Sequence, residues 1–340
     1  MQRCIDLALL GAGNTAPNPM VGAVLVYGDR VIGEGYHEKY GEAHAEVNCI
    51  NAVSPENRKL IPESVLYVSL EPCSHHGKTP PCADLIVREK IPRVVIGCID
   101  SFSAVAGKGI EKLRAAGVET ETGILEKECR LLNKRFFTFH EQGRPYIILK
   151  WAQSADGKIA GPGGERIKIS NEFTDRLVHR WRSEEAAIFA GANTVVKDDP
   201  ALTVRLWKGN HPVRVTFDEK VTLPLSSQIF DGQSPLLVLN RVKEDDIFFQ
   251  LKDNEDLPEG LCRCLRERKL LSVIIEGGSK SLQAFIDKGC WDEARVITNE
   301  ELTIGEGVAA PVLSNQSATG TEQIINDRTA YYRRKGNEFL

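Results

Sequence analysis

Apolar and polar residues alternate along the first half of the chain in a pattern that predicts a sheet with helices on its faces. Two apolar stretches, VGAVLVY and RVIGEGY, flank Gly28-Asp29, which is a strong signal for a two-residue β-hairpin. The pattern then predicts a helix from His44, a buried strand over 65–70, a helix from Cys82, a strand over 93–99 and a helix in GIEKLRAAG. This alternation of strands and helices indicates an α/β fold.

A second run of such patterns begins after Gly143 and Pro145, where we place a domain boundary. Strand patterns occur in YIILKWAQ, AAIFAG, VRVTF, PLLVL and LSVIIEGG, and helical patterns occur over 172–183 and in SLQAFIDKG. A chain of 340 residues is long enough for about two domains. We therefore predict one domain over residues 1–143 and another over residues 144–340.

Charge and cysteine content narrow the class of protein. The net charge is −4 with both signs spread along the chain, so neither nucleic acid nor a membrane surface is expected as a partner. The nine cysteines are odd in number and scattered, which indicates reduced thiols and a cytoplasmic protein. No apolar run approaches the roughly 18 residues of a membrane span.

One short stretch imitates a nucleotide-binding motif. Residues 11–16 match the letters G-x-G-x-x-A of a dinucleotide fingerprint, which must follow a strand and open a helix. Here a helical pattern precedes the glycines, and Pro17 and Pro19 follow them and exclude the next helical turn. We interpret the stretch as the end of a helix followed by a loop.

The stretch EPCSHHGKTPPC is the densest group of potential metal ligands in the chain. A catalytic zinc ion needs three protein ligands and an open position for water. Cys73 and Cys82 supply two ligands, and His44, at the start of a predicted helix, supplies a third. Both cysteines are expected near helix N-termini, which favour the thiolate that binds metal.

Glu46 decides between two interpretations of this group. It lies two residues after His44, which resembles the zinc-dependent deaminases, where a glutamate at this place takes a proton from the zinc-activated water without itself binding zinc. The alternative is a structural zinc site, in which His75 or His76 would supply the fourth ligand. We favour the catalytic interpretation because Glu46 is otherwise unexplained.

These residues match the signature of zinc-dependent deaminases, in which His-x-Glu is followed by Pro-Cys and a second Cys. EPCSHHGKTPPC, together with PNPMVGAV and YHEKYGEAHAE, closely resembles the family of bifunctional riboflavin-biosynthesis deaminase–reductases. The resemblance implies an N-terminal cytidine-deaminase-like αβα sandwich. It also implies that four residues contact the pyrimidine substrate or its phosphate-bearing arm: Asn18, His37, Lys78 and Asp100.

The second half resembles the reductase part of the same family in SADGKIA, GANTVVKDDPALTVR and EGG. The resemblance implies a dihydrofolate-reductase-like α/β domain. Gly277-Gly278 joins a strand to a helix, where backbone N–H groups can receive a cofactor phosphate. By resemblance, NADPH is contacted by Gln153, Thr194, Asp198, Gly278, Ser279, Lys280 and Ser281, and the phosphorylated substrate by Arg182, Leu202, Arg205 and Glu276. The family commonly has a small hydroxyl residue and a tryptophan where this chain has Arg166 and Lys168.

The resulting hypothesis is an enzyme with two sequential activities. It would bind one zinc ion per chain and NADPH, deaminate 2,5-diamino-6-(5-phosphoribosylamino)pyrimidin-4-one hydrolytically, and reduce the ribosyl group of 5-amino-6-(5-phosphoribosylamino)uracil to ribityl. It would bind these small molecules and neither nucleic acid nor a membrane. We also expect the chain to form a homo-oligomer. Two alternatives stay open: a tRNA or nucleoside deaminase with an accessory domain, and a zinc-stabilised binding protein without activity.

Overall fold

The structure is a computed structural model of the chain and describes residues 1–74, 80–101 and 106–336. It divides into two units, Met1–Gly143 and a second unit that begins at Arg144. Within the described ranges, no helix is both long and apolar enough to cross a membrane.

The first unit is built on a five-stranded mixed sheet. Its strands are β1 (Gly22–Tyr27), β2 (Arg30–Tyr36), β3 (Val65–Leu70), β4 (Arg93–Cys98) and β5 (Glu119–Thr122). They lie in the order β2-β1-β3-β4-β5, where β1 is antiparallel to β2 and β3, and β3, β4 and β5 are parallel. β1 and β2 form the predicted hairpin, in which Gly28 adopts a left-handed φ of 55°.

Helices cover both faces of this sheet. They are α1 (Gln2–Leu9), α2 (Ala45–Asn51), α3 (Cys82–Arg88), α4 (Lys108–Ala115), α5 (Glu126–Leu132) and α6 (Lys134–Gln142), and a 3₁₀ helix spans Arg58–Glu63. Side chains alternate along β1, since Ala23 and Leu25 join the core beneath α2, α3 and α4, whereas Val24 packs with Cys4 and Leu7 of α1. The unit is therefore an αβα sandwich, as predicted.

Helix α2 approaches β2 closely at two glycines of that strand. A Cβ atom on Gly35 would lie 2.3 Å from the backbone nitrogen of Cys49, and one on Gly33 would lie 2.5 Å from the Cys49 carbonyl oxygen. Real Cβ contacts are essentially never this short, so this approach requires glycine at both positions. The approach sets the position of the N-terminus of α2, where His44 and Glu46 lie.

The second unit is built on a nine-stranded sheet. In spatial order its strands are β11 (Phe248–Gln250), β10 (Leu236–Asn240), β9 (Val213–Phe217), β8 (Ala187–Gly191), β12 (Ser272–Glu276), β6 (Tyr146–Ser154), β13 (Glu293–Asn299), β16 (Asp327–Arg334) and β15 (Gln316–Ile324). Neighbouring strands are parallel from β11 to β13, and β16 and β15 continue the sheet in antiparallel pairs. Two short strands, β7 (Lys158–Ala160) and β14 (Val308–Ala309), pair separately.

Helices lie on both faces of this sheet as well. On one face lies α7 (Glu172–Glu184), whose Trp181 contacts Arg295 of β13 and Tyr331 of β16. On the other face, α9 (Leu257–Glu267) and α10 (Ser279–Asp287) contribute to the apolar core, and α8 (Ala192–Asp198) follows β8 directly. Because β8, β12 and β6 are parallel neighbours, the segments that follow them leave the sheet at the same edge.

Candidate active sites

The described residues contain one group of three potential metal ligands, formed by His44, Cys73 and Cys82. His44 is the N-cap residue of α2, and Cys82 is the first residue of α3. The imidazole Nδ1 of His44 lies 3.6 Å from Sγ of Cys73 and 3.4 Å from Sγ of Cys82. One imidazole and two thiols, all within 4.8 Å of one another, are a donor set that fits a tetrahedral Zn²⁺ with one position open.

The sequence predicts Cys73 near the N-terminus of a helix, and the structure places it there through space and not as the first residue of a helix. It lies in the irregular segment after β3 and reaches the N-terminus of α3 through space, where the backbone N–H of Cys82 donates to its Sγ at 3.3 Å. Hydrogen bonds from the Cys82 thiol, from His44 and from this N–H lower the pKa of the Cys73 thiol, against the opposing effect of burial. The fold therefore favours the thiolate at Cys73, whereas the hydrogen bond to Cys73 and burial raise the pKa of the Cys82 thiol.

Glu46 lies in the first turn of α2, beside the ligand group. The residue is only 3% exposed. Burial raises the pKa of its carboxyl group to about 7, and the negative charge of a Cys73 thiolate adds to this effect. A carboxyl group that titrates near neutral pH can both accept and donate a proton, as general acid–base catalysis requires.

Asn18 and His37, two of the predicted substrate contacts, lie next to His44. The ring centroids of His37 and His44 are 5.4 Å apart. His37 is buried, and its Nδ1 lies 3.0 Å from the carbonyl oxygen of Ala43, so Nδ1 carries the proton and Nε2 is an acceptor. The side-chain amide of Asn18 lies 3.2 Å from this Nε2 and donates to it. The pair places fixed polar groups beside the metal ligands.

The other predicted contacts of the first unit are Asp100 and Lys78. Asp100 is buried and follows β4, whose carboxyl end lies at the same edge of the sheet as the segment that carries Cys73. Lys78, like the alternative zinc ligands His75 and His76, lies outside the described residues.

Glu71, for which the sequence predicts no role, joins the segments at this edge. Its buried carboxylate accepts backbone N–H groups at 2.9–3.3 Å, from Asp100, Gly107, Gly109 and Ile110. These donors include the first turn of α4, and Glu71 lies two residues before Cys73. Its only signal in the sequence is an acidic residue directly after a buried strand.

The second unit contains a cavity of about 550 Å³ at the carboxyl ends of β6, β8 and β12. Most residues predicted to contact NADPH or the substrate line it: Arg182, Thr194, Asp198, Leu202, Arg205, Glu276, Gly278 and Ser279. Three others do not: Gln153, Lys280 and Ser281. Gln153 instead accepts the indole N–H of Trp151 at 2.8 Å, and Lys280 is exposed. All of these contacts with NADPH and the substrate stay predictions, and these three residues do not line the cavity.

A buried charged group lies in this cavity, formed by Arg182, Glu276 and Lys150. Arg182 donates through Nε and Nη2 to both carboxylate oxygens of Glu276, at 2.9 and 2.7 Å. Lys150 stands opposite Glu276 in the register of β6 and β12, with its Nζ 3.7 Å from the carboxylate. Burial would raise the pKa of Glu276, but the charges of Arg182 and Lys150 outweigh it and lower this pKa to about 2.

Lys150 is a second residue that the sequence predictions missed. Burial lowers the pKa of its ammonium group, although Glu276 acts in the opposite direction. The signal for it was a single lysine inside the apolar strand YIILKWAQ. A lysine at such a position is costly to bury unless a carboxylate compensates it, and that carboxylate lies far away in the sequence.

A two-glycine turn joins β12 to α10 at the cavity. Gly277 and Gly278 adopt φ values of 87° and 70°, which side chains disfavour. A Cβ atom on Gly277 would also lie 2.9 Å from Cγ2 of Thr194 in α8. The turn brings the backbone N–H groups at the start of α10 to the cavity, an arrangement that fits the phosphates of a dinucleotide.

Exposed cations surround the mouth of the cavity. Arg166, Lys168 and Lys197 line it together with Arg205. The charges of Arg166 and Lys197 favour ionised Asp198, but burial outweighs them and raises the pKa of that carboxyl group. Several cations around one cavity suit a ligand with more than one phosphate, such as NADPH beside a phosphorylated sugar.

Two family models match the two parts of the chain. The model for the cytidine and deoxycytidylate deaminase zinc-binding region matches residues 1–98, which include the metal ligands and Glu46. The model for the RibD C-terminal domain matches residues 145–319, which include the cavity. Together they confirm the predicted fold class, a deaminase-type unit followed by a reductase-type unit.

Whole-chain relatives give the same result. The chain is 38% identical to the riboflavin biosynthesis protein RibD of Aquifex aeolicus, over 91% of this chain and 88% of that protein. It is 41% identical to RibD of Bacillus amyloliquefaciens, over 86% and 81% of the two chains. A solved Thermotoga maritima structure, described as a diaminohydroxyphosphoribosylaminopyrimidine deaminase/5-amino-6-(5-phosphoribosylamino)uracil reductase, superposes with a TM-score of 0.88 at 35% identity and covers 98% of this chain and 97% of its own. The chain therefore belongs to the RibD family of riboflavin biosynthesis proteins.

Proposed function

We propose that the chain is a bifunctional enzyme of riboflavin biosynthesis. It deaminates 2,5-diamino-6-(5-phosphoribosylamino)pyrimidin-4-one and then reduces the ribosyl group of 5-amino-6-(5-phosphoribosylamino)uracil to ribityl with NADPH. The Thermotoga maritima protein, whose description names both activities, matches almost the whole chain. The observation that carries the proposal is the group of His44, Cys73 and Cys82 beside a buried Glu46 in a chain of this family.

In this proposal, residues 1–143 carry out deamination and residues 144–340 carry out reduction. The matches of the two family models to separate parts of the chain support this division. The same matches do not favour a tRNA or nucleoside deaminase, whose accessory domain would have no reason to be of the RibD type. A zinc-stabilised binding protein would leave the burial of Glu46 beside the ligands unexplained.

Zinc, when bound by His44, Cys73 and Cys82, supplies a Lewis acid that activates a water molecule. Glu46 accepts a proton from the attacking water and delivers protons to the pyrimidine ring nitrogen and to the departing amino group. Its pKa of about 7 suits both directions of transfer. His37 and Asn18, held by their mutual hydrogen bond, orient the pyrimidine.

NADPH, when bound at the turn between β12 and α10, supplies a hydride. Arg205 binds the phosphate of the substrate. Lys150 holds a proton at Nζ, and burial makes that proton easier to release to the substrate as it is reduced. Glu276, kept ionised by Arg182, keeps Lys150 protonated before the reaction.

Metal analysis combined with separate assays of the two steps tests this function. We expect one zinc ion per chain, ammonia release from the diaminopyrimidinone, and oxidation of NADPH with the deaminated compound. A folded, zinc-loaded chain without either activity would contradict the proposal. Deamination of adenosine, cytidine or tRNA instead would favour the alternative deaminase.

Two further expectations from the sequence stay predictions, the homo-oligomer and the cytoplasmic location. Light scattering of the purified chain would check the first. Fractionation of cells that express it would check the second.

A further inference from the structure

A short segment, residues 201–205, lies at the cavity of the second unit. Its members Leu202 and Arg205 line the cavity, while Thr203 and Val204 are buried. The segment belongs to no helix or strand, and Leu202 adopts a left-handed φ of 51°. Buried backbone N–H and C=O groups need hydrogen-bond partners, and those of this segment have none from a helix or a sheet. Other groups must therefore supply these hydrogen bonds.

Side chains from elsewhere in the unit form hydrogen bonds with four backbone groups of residues 201–205, with donor–acceptor distances of 3.0–3.4 Å. The carbonyl oxygens of Ala201 and Thr203 accept from Arg214 and Arg182, and the N–H groups of Val204 and Arg205 donate to Nδ1 of His211 and His179, respectively. The conformation of the segment therefore depends on individual side chains, and one of them acts directly on Arg205.

His179 is the side chain that holds the backbone of Arg205. It extends from α7 and is 5% exposed. Since the N–H of Arg205 donates to Nδ1, the ring must be neutral with its proton on Nε2. Burial and the nearby charges of Arg182 and Arg205 lower the pKa of His179 to about 4, which agrees with a neutral ring.

Arg182 and Arg205, two of the three arginines that line the cavity, differ in what their guanidinium groups contact. Arg182 is bound at both carboxylate oxygens of Glu276. Arg205 forms no ion pair with any residue that the structure describes, and its Nη1 donates to the hydroxyl of Thr203 at 3.1 Å. Arg205 is therefore the one of the two with charge available for an incoming anion.

We infer that His179 is a positioning residue of the reductase, which directs Arg205 toward the phosphate of the substrate by accepting the Arg205 N–H at Nδ1. The inference rests on the proposed reduction of a phosphorylated substrate. It gives His179 a function without contact to the reacting atoms. It also requires that the position of the acceptor atom matters, since only an acceptor at the place of Nδ1 meets that N–H.

The test compares H179N with H179Q, two carboxamides that differ by one methylene group. Asparagine can place its oxygen near the position of Nδ1, whereas glutamine places it near that of Nε2. Leaving one buried donor without a partner should raise the KM for the phosphorylated substrate roughly 5- to 100-fold in H179Q and H179A, with a much smaller change in kcat. H179N should restore the KM to within about threefold of the wild-type value.

Equal KM values in H179N and H179Q would overturn the inference, as would a loss of kcat at unchanged KM. The affinity for NADPH, followed by its fluorescence, is the control for the cofactor side of the cavity. Ammonia release by the first unit is the control for the amount of folded protein. Both should keep their wild-type values in all three variants.

A second measurement does not depend on activity. The chain has seven histidines, so ¹⁵N labelling of histidine with the H179A variant as reference allows the ring of His179 to be assigned. At about pH 7 we expect an unprotonated Nδ1 and a protonated Nε2, and a protonated Nδ1 would overturn the inference. An inactive reductase would contradict the proposed function alone, because the tautomer would still show whether His179 accepts the Arg205 N–H.

Discussion

At the scale of single residues, Glu46 separates a catalytic zinc site from a structural one. Its carboxyl group is buried beside three ligands that already complete the protein part of a catalytic site. The E46Q substitution keeps the size of the side chain but removes the proton acceptor. We expect the rate of deamination to fall by about 10⁴-fold or more, the upper end of the usual range for general acid–base catalysis, because Glu46 acts in more than one proton transfer. Zinc content and the rate of reduction should stay unchanged.

Ammonia release, zinc analysis and NADPH oxidation measure the three quantities on one preparation. Deamination near the wild-type rate would indicate a structural zinc ion. Loss of zinc from E46Q would instead make Glu46 a ligand.

Replacing Arg182 or Arg205 by alanine should have different effects on the protein. R182A leaves the buried carboxylate of Glu276 with Lys150 as its one ion-pair partner among the described residues, so the free energy of unfolding should fall by about 3–5 kcal/mol. R205A removes an exposed cation without an ion pair among the described residues, so the free energy of unfolding should not change. Because the bound substrate would cover the pair of Arg205 and phosphate, kcat/KM of reduction should fall by roughly 30- to 5000-fold, which corresponds to about 2–5 kcal/mol.

Urea unfolding and reductase kinetics on both variants check this pair of expectations. Tryptophan fluorescence follows the unfolding. The assignment of Arg205 to the phosphate would be wrong if R205A reduced the substrate as efficiently as the wild type.

His179 should make the second unit sensitive to mild acid. Its pKa is about 4 in the folded state and near 6.5 when unfolded, so between these values only the unfolded state binds the proton. The stabilising contribution is complete above about pH 6.5 and is lost as the pH falls toward 4, with a slope of at most about 1.4 kcal/mol per pH unit. H179N should show a shallower loss between about pH 6.5 and 5. Parallel urea midpoints for the two proteins over this range would contradict the prediction.

At the scale of elements, the position of α2 depends on the two glycines of β2. In G35A the new methyl group would collide with the backbone of Cys49, so α2 must move and carry His44 and Glu46 with it. We expect weaker zinc binding and slower deamination, with reduction unaffected. Competition with a chromogenic chelator measures the zinc affinity. G320A is the matched control, because no atom lies within 4 Å of the added Cβ, and a similar loss of zinc affinity in it would contradict this explanation.

The elements that the sequence could predict are those with a buried face. The hairpin of β1 and β2, the strands β3 and β4, and the helix α7 all follow the apolar pattern closely. Helix α9 was missed because Pro258 and Gly260 obscure its pattern, although Asp256 and Glu259 form a capping box. Strand β15 was missed because it is an exposed edge strand with hardly any apolar alternation.

The residues of the two candidate sites also divide into those that the sequence could predict and those that it could not. The zinc ligands and Glu46 were predictable because they lie in local motifs whose spacing reflects one type of chemistry. Glu71 and Lys150 were not, since the roles of both depend on contacts between segments that only the fold brings together. The register that places Lys150 opposite Glu276 joins residues more than a hundred positions apart.

At the scale of the whole molecule, the chain offers a way to observe its second unit separately. All four tryptophans lie there, at positions 151, 181, 207 and 291. Removal of zinc by a chelator should abolish deamination but leave NADPH oxidation and the fluorescence-detected urea midpoint unchanged, because the metal ligands belong to the first unit. A shift of that midpoint on chelation would show that zinc also stabilises the second unit.

The register between β6 and β12 limits how the length of this chain can change during evolution. Successive side chains of a strand point to opposite faces, so inserting or deleting one residue before Lys150 in β6 would turn that lysine toward the apolar core and away from Glu276. The segments that leave the sheet carry no such constraint. Divergence in length is therefore expected in the connections, while the number of β6 residues before Lys150 is held constant by its pairing with Glu276.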